Sequence, residues 1–281
     1  MSAVPPEASP RPRVLYVTDL AYEAKGRRYC DEDIFLTSRL RAWFDIALCH
    51  PLDAVALMDG FDLVVIRNSG PVLNYQAAYD HFRAEAARRG TRVHNRLTGK
   101  GDMAGKRYLL DLTVAGYPVI PTVDRLGDLD RLPVVDEYVV KPKQGADSIG
   151  LEFLSRERLA DGLADGEVLV QPRIRFAYEV SFYFVDDAFQ YALYAPDPAR
   201  RWDLEPYEAT EADLAFAHRF VEWNGTDHGI QRVDACRTPE GGLLLVELED
   251  LNPYLSLDLV PAATRDAFVD ALAASLRRAA L

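Results

Sequence analysis

Lysine is scarce in this chain, and three of its lysines lie where they could bind phosphate groups. Only five of the 32 basic residues are lysines, and these include Lys106, Lys141 and Lys143. Lys141 and Lys143 end a predicted strand that leads into a loop of small residues, Gly145 to Gly150, with Ser148 inside it. Backbone N–H groups of such a loop can turn toward phosphate oxygens, while a lysine ammonium adds a mobile charge. The segment predicts a polyphosphate-binding loop, and an ordinary hairpin with an exposed basic end explains it about equally well.

A second group of candidate residues lies near the end of the chain, on two predicted strands. Side chains alternate along a strand, so Arg232 and Asp234 share one face, as do Glu247 and Glu249 on the next strand. A glycine-containing turn at 239–242 would pair these strands antiparallel and bring the three carboxylates together. Each close contact between carboxylates costs about 4 kcal/mol at an effective dielectric near 20, unless a hard divalent cation lies between them. The pattern predicts a metal site, with the solvated face of a surface hairpin as the alternative.

Hydrophobic periodicity indicates which elements must position these residues. The first third of the chain alternates short apolar strands with amphipathic helices, which is typical of a parallel sheet covered on both faces. Later strands follow one another with hairpin-like breaks, which is typical of α+β lobes. The predicted strands are 14–20, 45–50, 61–68, 137–142, 168–174, 178–185, 188–195, 229–238 and 242–250. The predicted helices are 33–44, 74–89, 211–224 and 264–278, together with a helix that carries Lys106 and ends near Gly116.

Composition excludes several classes of protein. With 281 residues and 49% hydrophobic content, the chain can build more than one core. Its formal net charge of −12 disfavours nucleic acid as a partner and suits a small anion bound with divalent metal. No apolar run approaches the roughly 20 residues of a membrane span, and the N-terminus lacks a secretory signal, so we expect no membrane partner. The three cysteines are widely spaced, which favours neither zinc nor disulfides and suggests a cytoplasmic protein.

The order of these motifs resembles that of the ATP-grasp superfamily, the fold of glutathione synthetase and D-alanine–D-alanine ligase. The resemblance covers about residues 95–257. It implies an α/β N-terminal lobe followed by an α+β ATP-grasp fold, with the nucleotide held between two sheets. The implied organisation is a disordered tail at 1–12, a substrate domain at 13–96, a central subdomain with the lid loop at 97–170, and a C-terminal subdomain with the metal site at 171–281.

The resemblance also implies a role for each candidate residue. Lys106 and Lys141 match the two family lysines that contact the nucleotide phosphates, and the strand ending at Gln171 matches the adenine-binding linker. Glu179 matches a carboxylate that follows this linker, near the ribose or the metal. For Lys143, which has no firm family counterpart, a surface lysine is an equal interpretation. The implied ATP-binding set is Lys106, Lys141, Lys143, Gly145, Ser148, Gly150, Gln171, Arg173, Ile174 and Glu179.

The implied metal is Mg²⁺, bound by Asp234, Glu247 and Glu249. The sequence ELEDLNP at 247–253 departs from the family pattern E-x-N-P, so either Glu249 replaces the asparagine, which the spacing favours, or Asn252 takes that role. The family reaction begins when a substrate carboxylate attacks the γ-phosphate of ATP to give an acyl phosphate. An amine then displaces phosphate. Arg232 and Lys141 would be the catalytic residues.

The substrate is expected beyond the carboxyl ends of the N-terminal strands. The residues at those positions are Thr18, Asp19, Arg67 and Asn68; Arg67 could clamp a carboxylate or could pair with a neighbouring acid. Three functions remain open: a ligase that joins a small, amino-acid-like carboxylate to an amine, a cyclo-ligase of one such substrate as in the D-cycloserine-forming members, and a nucleotide-binding regulatory protein without catalysis. A homodimer is left open as the assembly.

Overall fold

The N-terminal lobe of the computed structural model is built on a parallel sheet. The residues described are 10–24, 26–67, 72–143, 150–160 and 166–281. The strands of this lobe are β1 (Arg13–Val17), β2 (Glu23–Ala24), β3 (Arg27–Arg28), β4 (Asp45–Cys49), β5 (Leu63–Ile66) and β6 (Val93–His94), and its helices are α1 (Cys30–Leu40), α2 (Ala54–Leu57) and α3 (Gln76–Arg89). The sheet has the order β4-β1-β5-β6 with every pair parallel, and β2 and β3 form a small separate hairpin.

Both faces of this sheet are covered, as the alternation of strands and helices predicted. Because side chains of a strand alternate, Val14 and Tyr16 of β1 belong to one apolar cluster with α1. Leu15 and Val17 belong to a second cluster with α2 and α3. Helix α1 begins three residues earlier than predicted and ends four residues earlier, at Leu40. Its first turn contains three acidic residues, which the helix dipole stabilises at that end.

The middle of the chain forms a small antiparallel sheet preceded by a short helix. Its elements are α4 (Tyr108–Val114), β7 (Tyr138–Pro142), β8 (Glu152–Leu154), α5 (Arg156–Ala160) and β9 (Val168–Pro172), with the strand order β8-β7-β9. The prediction that Lys106 lies on the helix is wrong, because α4 begins at Tyr108. Gly105 has a φ of +83°, which is not helical, and the Lys106 N–H donates to the Lys143 carbonyl at 2.8 Å. Helix α4 ends before Gly116, as predicted.

The last third of the chain contains a five-stranded antiparallel sheet. Its elements are β10 (Tyr178–Val185), β11 (Ala188–Ala195), β12 (Glu205–Pro206), α6 (Glu211–Asn224), β13 (Ile230–Arg237), β14 (Leu243–Glu249) and α7 (Ala262–Ala280). The strand order is β12-β11-β10-β13-β14. One face packs against α4 and α6, through residues such as Leu109 and Phe220. The other face packs against α7 in the same apolar cluster that covers the N-terminal sheet, so α7 joins the two sheets.

The mixed architecture therefore agrees with the predicted α/β lobe followed by α+β structure. The domain boundaries at 97 and 171 stay predictions, since α4 packs on the five-stranded sheet and not only on its own neighbours in sequence. Within the described part of the chain, none of the helices combines the length and apolarity that crossing a membrane requires.

Candidate active site

A cleft of about 230 Å³ lies over strands β10, β13 and β14 and is bordered by the β2–β3 hairpin and the loop that follows β14. Several predicted site residues line it. They are Glu179, Arg232, Asp234, Glu247, Glu249 and Asn252. The antiparallel register explains their convergence, because Arg232 lies opposite Glu249 and Asp234 lies opposite Glu247. Alternation along the paired strands, the basis of the prediction, therefore holds in the structure.

Arg232 is the centre of a hydrogen-bonded group at the base of the cleft. Its Nε donates to Asp234 Oδ1 at 2.9 Å, and its Nη2 donates to Asp234 Oδ2 at 2.8 Å and to Glu249 Oε1 at 2.5 Å. Its Nη1 donates to the Tyr254 carbonyl at 2.9 Å. Ser181 adds a hydrogen bond of 2.6 Å to Asp234 Oδ1. Both oxygens of Asp234 are thus engaged by protein donors, and its role as a metal ligand stays a prediction.

Three carboxylates meet at one point of the described chain, and one of them was not predicted. Asp102, Glu247 and Glu249 each offer an oxygen, and these atoms lie within 4.8 Å of one another. Asp102 Oδ1 is buried and has no hydrogen-bond partner among the described residues. Burial raises the pKa of Asp102, although the nearby charges of Lys106 and Lys141 oppose that shift. Such a set of hard oxygen donors, with one oxygen unsatisfied, fits a cation such as Mg²⁺.

Lys106 connects the middle of the chain to the acidic end. Its side chain is 8% exposed, and its Nζ contacts the Glu247 carboxylate and lies 3.6 Å from Asp102 Oδ2. Lys141, in β7, lies close enough to Lys106 for the two charges to repel. Burial, reinforced by this repulsion, lowers the pKa of Lys141 to about 7. Two cations held this close, one of them partly desolvated, favour a polyanion such as a triphosphate.

The segment that carries Asp102 and Lys106 is held by another acid that the sequence did not reveal, Asp250. Its Oδ2 accepts the Gly101 N–H at 2.9 Å and its Oδ1 accepts the Met103 N–H at 2.8 Å. The approach is close enough to require glycine, because a Cβ atom at Gly99 would lie 2.2 Å from Asp250 Oδ2. Burial raises the pKa of Asp250 to about 6. The acid directly after Glu249 therefore anchors the segment that faces Glu249 across the cleft.

The other predicted nucleotide-binding residues occupy the central sheet and its borders. Lys143 Nζ donates to Asp124 Oδ2 at 2.6 Å, and Gln171 Nε2 donates to Thr122 Oγ1 at 2.8 Å. The Arg173 N–H donates to the Glu137 carbonyl at 3.0 Å, and Ile174 follows it in a half-buried position. Gly150 has a φ of +75°, and a Cβ atom there would lie 3.0 Å from Pro142 Cγ.

Glu179 lies in the cleft, and Arg201 Nε donates to its Oε2 at 2.6 Å. Burial raises the pKa of Glu179 while the Arg201 charge opposes the shift. Gly145, Ser148 and Asn68 lie outside the described residues.

Of the predicted substrate residues at the N-terminal strand ends, the three that the structure describes, Thr18, Asp19 and Arg67, do not line the cleft. Thr18 Oγ1 donates to Asp33 Oδ2 at 2.7 Å, and Asp19 Oδ1 accepts the N–H groups of Ala21 and Tyr22. A role in substrate binding stays a prediction for both.

Arg67 is 2% exposed, and all three of its guanidinium nitrogens donate to protein atoms, namely Asp33 Oδ1, Glu32 Oε2 and the Pro253 carbonyl. This agrees with the alternative that pairs Arg67 with neighbouring acids, although Arg67 is buried and not at the surface.

The N-terminal lobe reaches the cleft through other residues, Arg27 and Tyr29 of the β2–β3 region. From the C-terminal part, Arg201, Trp202 and Tyr254 also line it and were not predicted. No sequence pattern marks these residues, because each contributes from a turn or loop whose position depends on the packed fold.

No protein-family model matches the chain. Among curated proteins, the cycloserine biosynthesis protein DcsG of Streptomyces lavendulae is 27% identical over 249 residues, which cover 75% of this chain and 82% of that protein. Among solved structures, D-cycloserine synthetase DcsG superposes with a TM-score of 0.72 at 25% identity, covering 94% of this chain and 99% of that chain. The ATP complex of D-alanine–D-alanine ligase from Bacillus anthracis has a TM-score of 0.67 at 12% identity, covering 97% of this chain and 99% of that chain. The macrocyclase MdnC of Microcystis aeruginosa, bound to its precursor peptide MdnA, has a TM-score of 0.67 at 13% identity, covering 94% of this chain and 99% of that chain. At these low identities, the last two comparisons show a fold shared with this chain and nothing further.

Proposed function

We propose that the cleft activates the carboxylate of a small, amino-acid-like substrate. The premise is that this chain is a member of the ATP-grasp superfamily and an ATP-dependent carboxylate–amine ligase. The observation that carries this proposal is the contact of Lys106 with Glu247 and Asp102, beside Lys141. It brings cations from the middle of the chain and acids from its last strands to one place. A Mg²⁺-bound triphosphate needs both kinds of group.

Different residues would bind the phosphates and the metal. Lys106 and Lys141 would bind phosphate oxygens, since their mutual repulsion is relieved by an anion. Asp102, Glu247 and Glu249 would hold Mg²⁺, with Asp234 and Asn252 as further candidates. When bound, Mg-ATP supplies the phosphoryl group that converts the substrate carboxylate to an acyl phosphate, which the amine then attacks with loss of phosphate.

Arg232 would act by electrostatics. Its guanidinium is held in place by Asp234, Glu249 and the Tyr254 carbonyl, so little reorganisation is needed when negative charge develops nearby. Nothing in this scheme requires a nucleophilic side chain, and the cleft contributes positioning and exclusion of water. The adenine would bind near Gln171, Arg173 and Ile174, at the end of β9.

A second candidate function is ATP-driven cyclisation of one amino-acid-like substrate. The observation that favours it is the similarity to D-cycloserine synthetase in both sequence and structure, over 94% of this chain in the structural comparison. The two candidates share the activation step. They differ in whether the attacking amine belongs to a second molecule.

The test is release of ADP and phosphate across a panel of amino acids with Mg²⁺, with and without added amines. We expect release that depends on a particular carboxylate. The mass of the product separates the two candidates, because cyclisation gives one substrate molecule minus water, whereas ligation joins two molecules, either two copies of the amino acid or the acid and an added amine. Lys141→Ala and Glu247→Ala should each abolish turnover while the protein stays folded. A wild-type rate in either variant, or no carboxylate-dependent release from the wild-type protein, contradicts the proposal.

A further inference from the structure

The arginines that line the cleft differ in how completely they are neutralised. Arg232 holds Asp234 at 2.8 Å and Glu249 at 2.5 Å, and Arg201 holds Glu179 at 2.6 Å. Arg27 instead donates to a neutral partner, the Tyr254 hydroxyl, at 3.1 Å. The nearest approach of Arg27 to a carboxylate within the described chain is 4.0 Å, to Asp258, which is 65% exposed and therefore strongly hydrated.

Arg27 is nevertheless held in a defined position. Its guanidinium lies over the Tyr254 ring, 5.2 Å from the centroid, and the Tyr29 ring packs against the same ring at 4.7 Å. The side chain is 34% exposed, so it is partly desolvated and still open to the cleft. A guanidinium stacked in this way keeps N–H donors in a fixed plane, which suits a planar carboxylate.

Tyr254 fixes the spacing between Arg27 and the base of the cleft. Its carbonyl accepts from Arg232 Nη1, while its hydroxyl accepts from Arg27 Nη1. The two arginines thus bind the hydroxyl and the carbonyl of the same tyrosine. The cleft is also lined by Asp234, Glu247 and Glu249, and among the three arginines that line it Arg27 is the one without a carboxylate at hydrogen-bonding distance in the described chain, so it is the arginine to which an anion can bind.

We propose that Arg27, stacked on Tyr254, binds a second carboxylate, distinct from the one that is activated. This inference rests on the proposed ligase function and narrows its substrate class. The second carboxylate can belong to the activated molecule, as in a dicarboxylic amino acid, or to an amino acid that serves as the amine. In both cases the substrate spans the distance from the Arg232 end of the cleft to Arg27.

The variants follow from the geometry of the hairpin. Arg27→Met removes the charge and keeps most of the aliphatic side chain. Arg27→Lys keeps the charge but lacks the planar guanidinium with its paired N–H donors. Arg28→Met is the matched control, because Arg28 neighbours Arg27 on the same strand but pairs with Asp31 at 2.5 Å and does not line the cleft. Binding of the non-hydrolysable analogue AMPPNP with Mg²⁺ should be the same in all of these proteins.

The kinetic test compares each active substrate of the ADP-release panel with its derivative in which the second carboxylate is a methyl ester. We expect Arg27→Met to lower kcat/KM about 10- to 100-fold for the acids, the range of one charged hydrogen-bonded pair, and to leave the esters unchanged. Arg27→Lys should retain part of the rate, and Arg28→Met should match the wild type. Esters of the activated molecule and esters of the amine tell which molecule carries the second carboxylate.

A binding measurement separates failure of this subsite from failure of the ligase function. Succinate is titrated into the AMPPNP–Mg²⁺ complex and observed by ligand NMR, which requires no turnover. Binding that is present in the wild type and lost in Arg27→Met supports the subsite even if no panel member releases ADP. Equal succinate binding in the two proteins, equal losses for acids and esters, or a product made only from molecules that together carry a single carboxylate would overturn the inference.

Discussion

Replacing Arg232 with methionine should destabilise the metal-free protein by about 3–5 kcal/mol, and Mg²⁺ should recover part of that loss. The side chain is 15% exposed and makes hydrogen bonds to two carboxylates and one carbonyl. Methionine fills much of the same volume, so the main change is the loss of the charge. The substitution leaves Asp234 and Glu249 half-buried beside each other without the cation that both contact.

Protonation of Glu249 limits the loss of stability in the Arg232→Met variant. Burial raises the pKa of Glu249 to about 8 in the wild-type protein, where the Arg232 charge opposes the shift, so loss of that charge must raise the pKa further. A carboxylate with a raised pKa in the folded state contributes its full stability below its unfolded pKa and loses it as the pH rises through the folded value. The deficit of Arg232→Met should therefore be small near about pH 5 and largest near about pH 9.

The assay is urea unfolding of both proteins at these two pH values, with and without Mg²⁺. If the cation binds only the folded state, Mg²⁺ at about 100 times its dissociation constant adds about 2.7 kcal/mol. In the variant Mg²⁺ also replaces the lost positive charge. The difference in unfolding free energy between variant and wild type should therefore shrink when Mg²⁺ is added.

Arg237→Met is the matched control. Arg237 lies on the same strand, β13, with 18% side-chain exposure, and donates to Asp213 at 2.5 Å and to two tyrosine hydroxyls and one carbonyl. Its acid does not belong to the metal-binding set. We expect a comparable loss of stability that Mg²⁺ does not reduce. Equal responses of the two variants to Mg²⁺, or an Arg232→Met protein as stable as wild type at high pH, would refute the electrostatic reasoning.

Three further predictions concern the same cleft. Burial lowers the pKa of Lys141 from 10.5 to about 7, so the charged form costs stability in the folded protein. Lys141→Met should therefore raise the unfolding free energy by up to about 5 kcal/mol below pH 7 and leave it unchanged above the pKa of the unfolded lysine. Urea unfolding across that pH range checks this. Gly99→Ala places a Cβ atom 2.2 Å from Asp250 Oδ2, so it should lower the unfolding free energy by about 1–3 kcal/mol and weaken Mg-AMPPNP binding in calorimetry. The control Gly60→Ala, with nothing within 4 Å of its Cβ position, should change neither quantity. Removing Mg²⁺ with a chelator should weaken AMPPNP binding at least about 10-fold, since the free triphosphate then faces Glu247 and Glu249 directly; unchanged affinity would count against the metal site.

Much of the fold could be predicted because each lobe has its own periodicity. The parallel sheet follows from strands separated by helices, and the late hairpins follow from closely spaced strands. The helix at Lys106 could not be placed correctly from local pattern. Gly105, with a φ of +83°, is not helical, and the Lys106 N–H, which a helix beginning there could not satisfy, donates to the Lys143 carbonyl. The sharing of one core by α7 and both sheets is likewise a property of packing, not of periodicity.

The site was predictable where it depends on strand alternation, and not where it depends on loops. The pairs Arg232–Glu249 and Asp234–Glu247 follow from the period of two in paired strands. Asp102 enters the site only because Asp250, 148 positions later, fixes its loop, and Arg27 enters only because Tyr254, 227 positions later, supports it. Contacts over such separations leave no local signal in a single sequence.

The two lysines of the cleft show why the site suits a metal-bound triphosphate better than either component alone. Lys106 is already paired with Glu247 and Asp102, so it neutralises carboxylates that would otherwise repel one another. Lys141 has no ion pair within the described chain, and burial together with repulsion from Lys106 lowers its pKa. The site thus requires an additional cation at the carboxylates and an additional anion at Lys141. A metal ion alone would leave Lys141 unpaired, and a polyphosphate alone would meet the acids, whereas the complex of the two satisfies both requirements at once.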